Sequence, residues 1–174
     1  MLQSAVAALP ITRQVIRLLI VLNLLWGIAI LTLLVATLTA PGPVLSALGA
    51  HPAPGNDQRI LGMRMIMVLG IASVPLIHAA LTRVRAIVET VQQGDPFVQE
   101  NAVRLARIAW VVLALELLHL AVGAVAAAVS TPTAPLRIGW SLSPTPWLTV
   151  LLLFALARVF EHGTAMREEL EAVV

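Results

Sequence analysis

The chain has 174 residues, of which 59% are hydrophobic and 11% charged. Soluble domains carry roughly 25% charged residues, so this composition excludes an ordinary water-soluble domain and points to a membrane protein of one domain. The net charge is only +2 and Cys is absent. The first argues against direct nucleic-acid binding; the second excludes disulfides, thiolate metal sites and cysteine nucleophiles.

Residues Met1 to Gln14 are a mixed segment containing Pro10, read as a helical stub on the inner membrane surface. Val15 to Leu38 is the first span, long enough at 1.5 Å per residue to cross a ~30 Å hydrocarbon core. Leu38-Thr39-Ala40 offers a signal-peptide-like end, but the apolar run exceeds the roughly 7–15 residues of a signal h-region. An uncleaved anchor is therefore favoured. A Pro- and Gly-rich loop with His51 and Asp57 follows, from Pro41 to Arg59.

The second span is Ile60 to Thr82. Pro75 within it removes a backbone donor and clashes with the carbonyl of Ile71, which predicts a kink. Gly70 and Ser73 are small enough for close helix approach. Residues 83–106 are expected to form a cytoplasmic helical hairpin. Arg85 and Glu89, then Glu100 and Arg104, stand at i,i+4, where ion pairs support exposed helix. Val84, Ile87, Val88 and Val91 make one apolar stripe, and Val98, Leu105 and Ile108 another. Gly94 suits a left-handed position past a helix end. Asp95 suits the N-cap and Pro96 the first helical position. One helix should thus stop at Gln93 and the next start at Pro96.

The run Gly94-Asp95-Pro96-Phe97-Val98-x-Glu100-Asn101-Ala102-x-Arg104-Leu105-x-x-Ile108-Ala109-Trp110 resembles the signature of an uncharacterised bacterial family. That family is catalogued as domain of unknown function 2975. A second block, Leu151 to Glu171, with Phe154, Arg158, Phe160-Glu161-His162-Gly163, Met166 and Arg167, resembles it too. The resemblance implies a small four-helix protein of the bacterial cytoplasmic (inner) membrane with no established activity. It also implies a gene neighbour: members often lie beside a gene for a small helix-turn-helix regulator.

The third span is Arg107 to Val129, with Trp110 near its inner end, where an amphipathic ring suits the headgroup layer. The loop after Ser130 contains Leu136 to Leu142, which reads as a short strand or a surface lid. Thr145 and Pro146 make another cap-plus-first-position start. The fourth span is residues 146–162, and the tail 163–174 is cytoplasmic. With both termini inside, Arg13, Arg17, Arg83, Arg85, Arg104, Arg107, Arg158 and Arg167 lie on the cytoplasmic side. Only Arg59, Arg64 and Arg137 lie outside or toward it, so the positive-inside rule gives N-in, C-in. The expected architecture is an all-α integral membrane four-helix bundle with a cytoplasmic hairpin between spans 2 and 3.

Polar side chains inside a bilayer are costly, and each is a functional candidate. Here they are Asn23, Arg64, His78, Glu116 and His119. Three readings of this cluster stand side by side. Arg64 pairs with Glu116 while the histidines bond between helices. Alternatively, Glu116 and His119, at i,i+3, form a ligand or proton site. In the third, Glu116-x-x-His119 or His78 with His119 holds a metal or haem. A di-iron site, however, needs that motif twice plus two further Glu, and no cofactor is assigned. Adjacent Glu161 and His162 face different directions on a helix, so no catalytic set is visible and the chain is read as non-enzymatic.

The leading functional reading is a membrane sensor or anchor that docks a cytoplasmic regulator. Asp95, Phe97, Glu100, Arg104, Arg158 and Arg167 would carry that contact. The alternatives are a small transport or redox protein using Glu116, His119 and His78, and an accessory subunit of a larger membrane complex. A second copy of the chain is a further partner class.

Overall fold

In the computed structural model, which describes residues 2–40, 42, 46, 56–130 and 143–171, the chain is all-α with no strand among the described residues. Four long helices follow one another: α1 (Leu2–Thr39), α2 (Asn56–Gln92), α3 (Gln99–Val129) and α4 (Thr145–Glu171). Residues 136–142, read above as a strand or lid, and His51 lie outside the described residues.

Each helix contains a stretch apolar and long enough to cross a membrane, of 28, 36, 31 and 23 residues in order. Even the shortest spans about 35 Å at 1.5 Å per residue, against a ~30 Å hydrocarbon core. The 36-residue stretch of α2 reaches about 54 Å, longer than that core is thick. Large apolar side chains point outward: Trp26 is 66% exposed, Leu151 66% and Leu152 69%. Apolar surface this extensive belongs against lipid or another apolar partner.

Two expectations about helix boundaries change. The N-terminal stub and first span are one continuous helix from Leu2. α2 starts at Asn56, ahead of the Ile60 expected from sequence, and Pro75 lies within it. At the start of α4, the Thr145 N–H donates to the Ser143 hydroxyl at 3.3 Å and the Leu148 N–H to the Pro144 carbonyl at 3.0 Å. Ser143 therefore serves the helix start that Thr145 was expected to cap.

The chain divides into two compact units. The first comprises Met1–Leu22, Leu76–Ala114 and Ser143–Val174. Its core follows one face of α3, where Ala102, Leu105, Ile108 and Ala109 are buried at helical spacing, and α4 adds Ala157. Trp110 meets Phe154 edge-on at 5.4 Å, a favourable aromatic geometry. On the polar side, Arg85 pairs with Glu89 at 2.9 Å, as its i,i+4 spacing predicts, and Arg13 of α1 approaches the same carboxylate at 3.7 Å.

The second unit comprises Asn23–Pro75 and Leu115–Leu142. Its helices meet at glycines. A Cβ on Gly27 would stand 2.9 Å from Val74, and one on Gly62 only 2.6 Å from Val129. Small residues at these crossings let the backbones approach without a clash. At Gly70, favoured for this role by sequence, an added Cβ would stand 3.4 Å from Ile30, an ordinary van der Waals distance. Ser73 donates within its own helix, to the Gly70 carbonyl.

Candidate functional site

The turn between α2 and α3 is built from the backbone upward. Gly94 has φ +83°, a left-handed conformation that a side chain disfavours. Its N–H donates to the Val91 carbonyl and that of Asp95 to the Thr90 carbonyl, each at 3.1 Å. This pair of bonds is the Schellman closure that satisfies the last carbonyls of a helix. Gly94 therefore does what its sequence position predicts.

Asp95 and Pro96 do not start the next helix: α3 begins three residues beyond Pro96, at Gln99. The physical reason is visible in the partners. The Asp95 N–H closes α2, and its carboxylate takes the guanidinium of Arg167 on α4. It is thus engaged away from the α3 backbone. Phe97 leaves the helical path as well. Its ring packs on Phe160 with centroids 5.3 Å apart and lies over Gly163, where an added Cβ would stand 3.1 Å from it.

Asn101 fixes this arrangement from beneath. It is fully buried, at 0% exposure. Its amide nitrogen donates to the Thr90 hydroxyl at 2.7 Å and to the Pro96 carbonyl at 2.9 Å. Its amide oxygen accepts from Arg104 at 2.7 Å. Both amide protons and the carbonyl are thereby used, so the end of α2, the turn and the start of α3 share one side chain.

Around this keystone lies an exposed surface. A cleft of about 270 Å³ is lined by Asp95, Phe97, Glu100, Thr164 and Arg167, among others. A larger groove of about 510 Å³ runs between α3 and α4, floored by Ala102, Ala106 and Ala157, with Arg158 and Glu161 on its rim. Arg158 and Glu161 pair at 2.9 Å. Of the docking residues expected from sequence, the structure brings together Asp95, Phe97, Glu100 and Arg167. Arg158 stands on the second groove. Arg104 is turned inward to Asn101 and forms no ion pair with Glu100 among the described residues. Sequence reasoning gave no role to Thr90, Asn101, Phe160 and Gly163. For Asn101 a signal existed, since a polar residue stood in the buried register with Leu105 and Ile108.

The intramembrane candidates fall into different settings. Arg64 does not pair with Glu116. Its guanidinium donates to the Thr37 carbonyl at 2.5 Å, one of the carbonyls that the end of α1 leaves without a helical partner. A cation at that end also opposes the helix dipole. Asn23 donates its amide to the Val74 carbonyl at 3.0 Å and ties α1 to α2 beside Pro75. Glu116 is buried, and His119 is exposed on the same helix. His78 belongs to the first unit, and its Nδ1 is buried with no hydrogen-bond partner. Among the described residues no three His, Asp or Glu side chains gather in a metal-holding group.

Residues 53–174 match the model of a family described as "Protein of unknown function (DUF2975)". Comparison with curated proteins and with solved structures gives no match. The matched stretch contains the turn, its asparagine keystone and the α4 residues that meet them, and it covers more than two thirds of the chain. With four helices long and apolar enough to span a bilayer, this small multi-pass membrane protein belongs to the DUF2975 family, whose function is unknown.

Proposed function

We propose that the chain is a non-enzymatic sensor or anchor of the bacterial cytoplasmic membrane, with both termini inside. It presents the α2–α3 turn and the end of α4 as a docking face for a cytoplasmic regulator. One observation carries this reading. Phe97 is 45% exposed although its ring is held against Phe160 and Gly163, and it sits beside charged Asp95, Glu100 and Arg167. A rigid, half-exposed aromatic ringed by charges has the composition of an interface anchor. Its side chain is already ordered, so a partner would pay little entropy to engage it.

Two further points support the reading. Helix α2 is longer than a bilayer is thick, so a projecting hairpin has a physical origin. The resemblance described above also implies a helix-turn-helix regulator encoded nearby, a partner of suitable class. The test is co-purification from the native membrane, with the recovered proteins identified by mass spectrometry. We expect a helix-turn-helix regulator in fixed ratio with the wild type, and its loss with Phe97→Ala or Arg167→Glu. Equal recovery with wild type and both variants would count against the docking face.

A further inference from the structure

The groove between α3 and α4 lies wholly within the first unit. Small side chains make it. Ala102 and Ala106, one turn apart on α3, and Ala157 on α4 leave about 510 Å³ that longer side chains would fill. Val103, 41% exposed, forms a wall. Phe154 lines the end that carries Trp110. Trp110 is itself exposed, and so is Leu151, three residues before Phe154. Side chains three apart share a helix face, so this end of the groove opens onto the exposed apolar surface of α4. The other end is polar, with Gln99 and the exposed pair of Arg158 and Glu161. Arg107, four residues after Val103 and therefore on its face, is exposed and in no ion pair among the described residues.

An apolar trough flanked by guanidinium groups suits an amphiphile with an anionic head. We propose that the groove binds an anionic phospholipid, its phosphate at Arg158 and Arg107 and an acyl chain running over Ala106 and past Phe154 toward Leu151. Two observations favour a lipid over a segment of another protein. The groove is continuous with apolar surface on helices long enough to span a bilayer. Trp110 at its end is a ring suited to the headgroup layer, the depth at which phosphate gives way to hydrocarbon. Glu161 competes for Arg158, but an exposed pair of this kind contributes little, and a guanidinium fork also fits phosphate. The inference rests neither on the docking face nor on the direction in which the chain crosses the membrane.

The experiment uses the purified full chain, with no other protein, in nanodiscs of equal parts phosphatidylglycerol and phosphatidylcholine with matched chains. Native mass spectrometry counts the lipids that stay on the chain. We expect phosphatidylglycerol to be retained ahead of phosphatidylcholine. Arg158→Gln should lower that preference about fivefold, the effect of one basic side chain on an anionic lipid. Glu161→Gln removes the competing carboxylate and should raise it. Ala106→Phe fills the trough and should release the lipid although every charge remains. Val103→Asn, at an exposed position, makes the same wall polar and serves if the Phe variant fails to fold. Arg17→Gln removes an exposed charge from α1 and should leave the preference unchanged. Equal retention of the two lipids would overturn the proposal. So would an Arg17→Gln loss as large as that of Arg158→Gln, which would reduce the effect to general surface charge. Retention unaltered by both groove variants would overturn it as well.

Discussion

Asn101 donates to the Thr90 hydroxyl across the α2–α3 turn at 2.7 Å, from a site with no solvent exposure. Replacing it with Ala leaves a hydroxyl, a carbonyl and part of a guanidinium without their partner. The expected loss is about 2–3 kcal/mol of stability, because unsatisfied buried groups cost more than the bonds themselves contributed. Chemical unfolding of the purified protein in detergent measures it. A loss below about 0.5 kcal/mol would show that Asn101 is not the keystone of the turn.

Gly94 carries the positive φ of the same turn. Gly94→Ala should cost about 1–2 kcal/mol, and Gly94→Asn less, since Asn tolerates the left-handed region better. The ordering of the two variants in the unfolding assay is the diagnostic result. No contact stands within 4 Å of an added Cβ, so the cost comes from the backbone alone.

The Asp95–Arg167 pair should behave in the opposite way. The two side chains are 42% and 47% exposed, so the pair contributes no more than about 1 kcal/mol and weakens with salt. Asp95→Asn should leave thermal stability nearly unchanged. Any larger effect on partner recovery therefore separates docking from folding.

Arg64 holds the last turn of α1 by its bond to Thr37. Arg64→Leu should lose about 1–3 kcal/mol, the range for a charge-assisted bond or its orphaned partner. Arg64→Lys should recover part of that loss. If Arg64 instead served Glu116, the Leu variant would be rescued by Glu116→Gln. The geometry predicts no such coupling.

The crossing at Gly62 offers a packing test. Gly62→Ala places a Cβ 2.6 Å from Val129 and should cost about 1–3 kcal/mol by overpacking. Val129→Ala should restore much of it in the double variant, giving a coupling energy of ~1 kcal/mol between the two helices. Additive losses would place the two residues apart.

Much of this architecture was legible because its causes are local. An apolar run needs only its own residues to declare a helix long enough for a bilayer, and Gly94 needs only its own missing Cβ. The Arg85–Glu89 pair lies within one helical turn. What escaped sequence reasoning depends on distant partners. Asp95 looked like an N-cap until Arg167, 72 positions away, took its carboxylate. Phe97 looked like the first turn of α3 until Phe160 and Gly163 drew it onto α4. Arg64 looked like a partner for Glu116 because side-chain charge is visible in sequence. The Thr37 carbonyl it meets is backbone and therefore is not. Gly27 and Gly62 were passed over for a similar reason, since spacing along one helix does not reveal which glycine faces a valine on another.

The direct test of the account is the sidedness of the turn. The chain contains no Cys, so single-cysteine variants can be labelled in intact cells without a background. Glu100 and Asp57 are both exposed, at the first turns of α3 and α2. The account predicts that an impermeant maleimide labels Asp57→Cys from outside. Glu100→Cys should react only after the membrane is permeabilised. The reverse pattern, with Glu100→Cys labelled in intact cells, would contradict it.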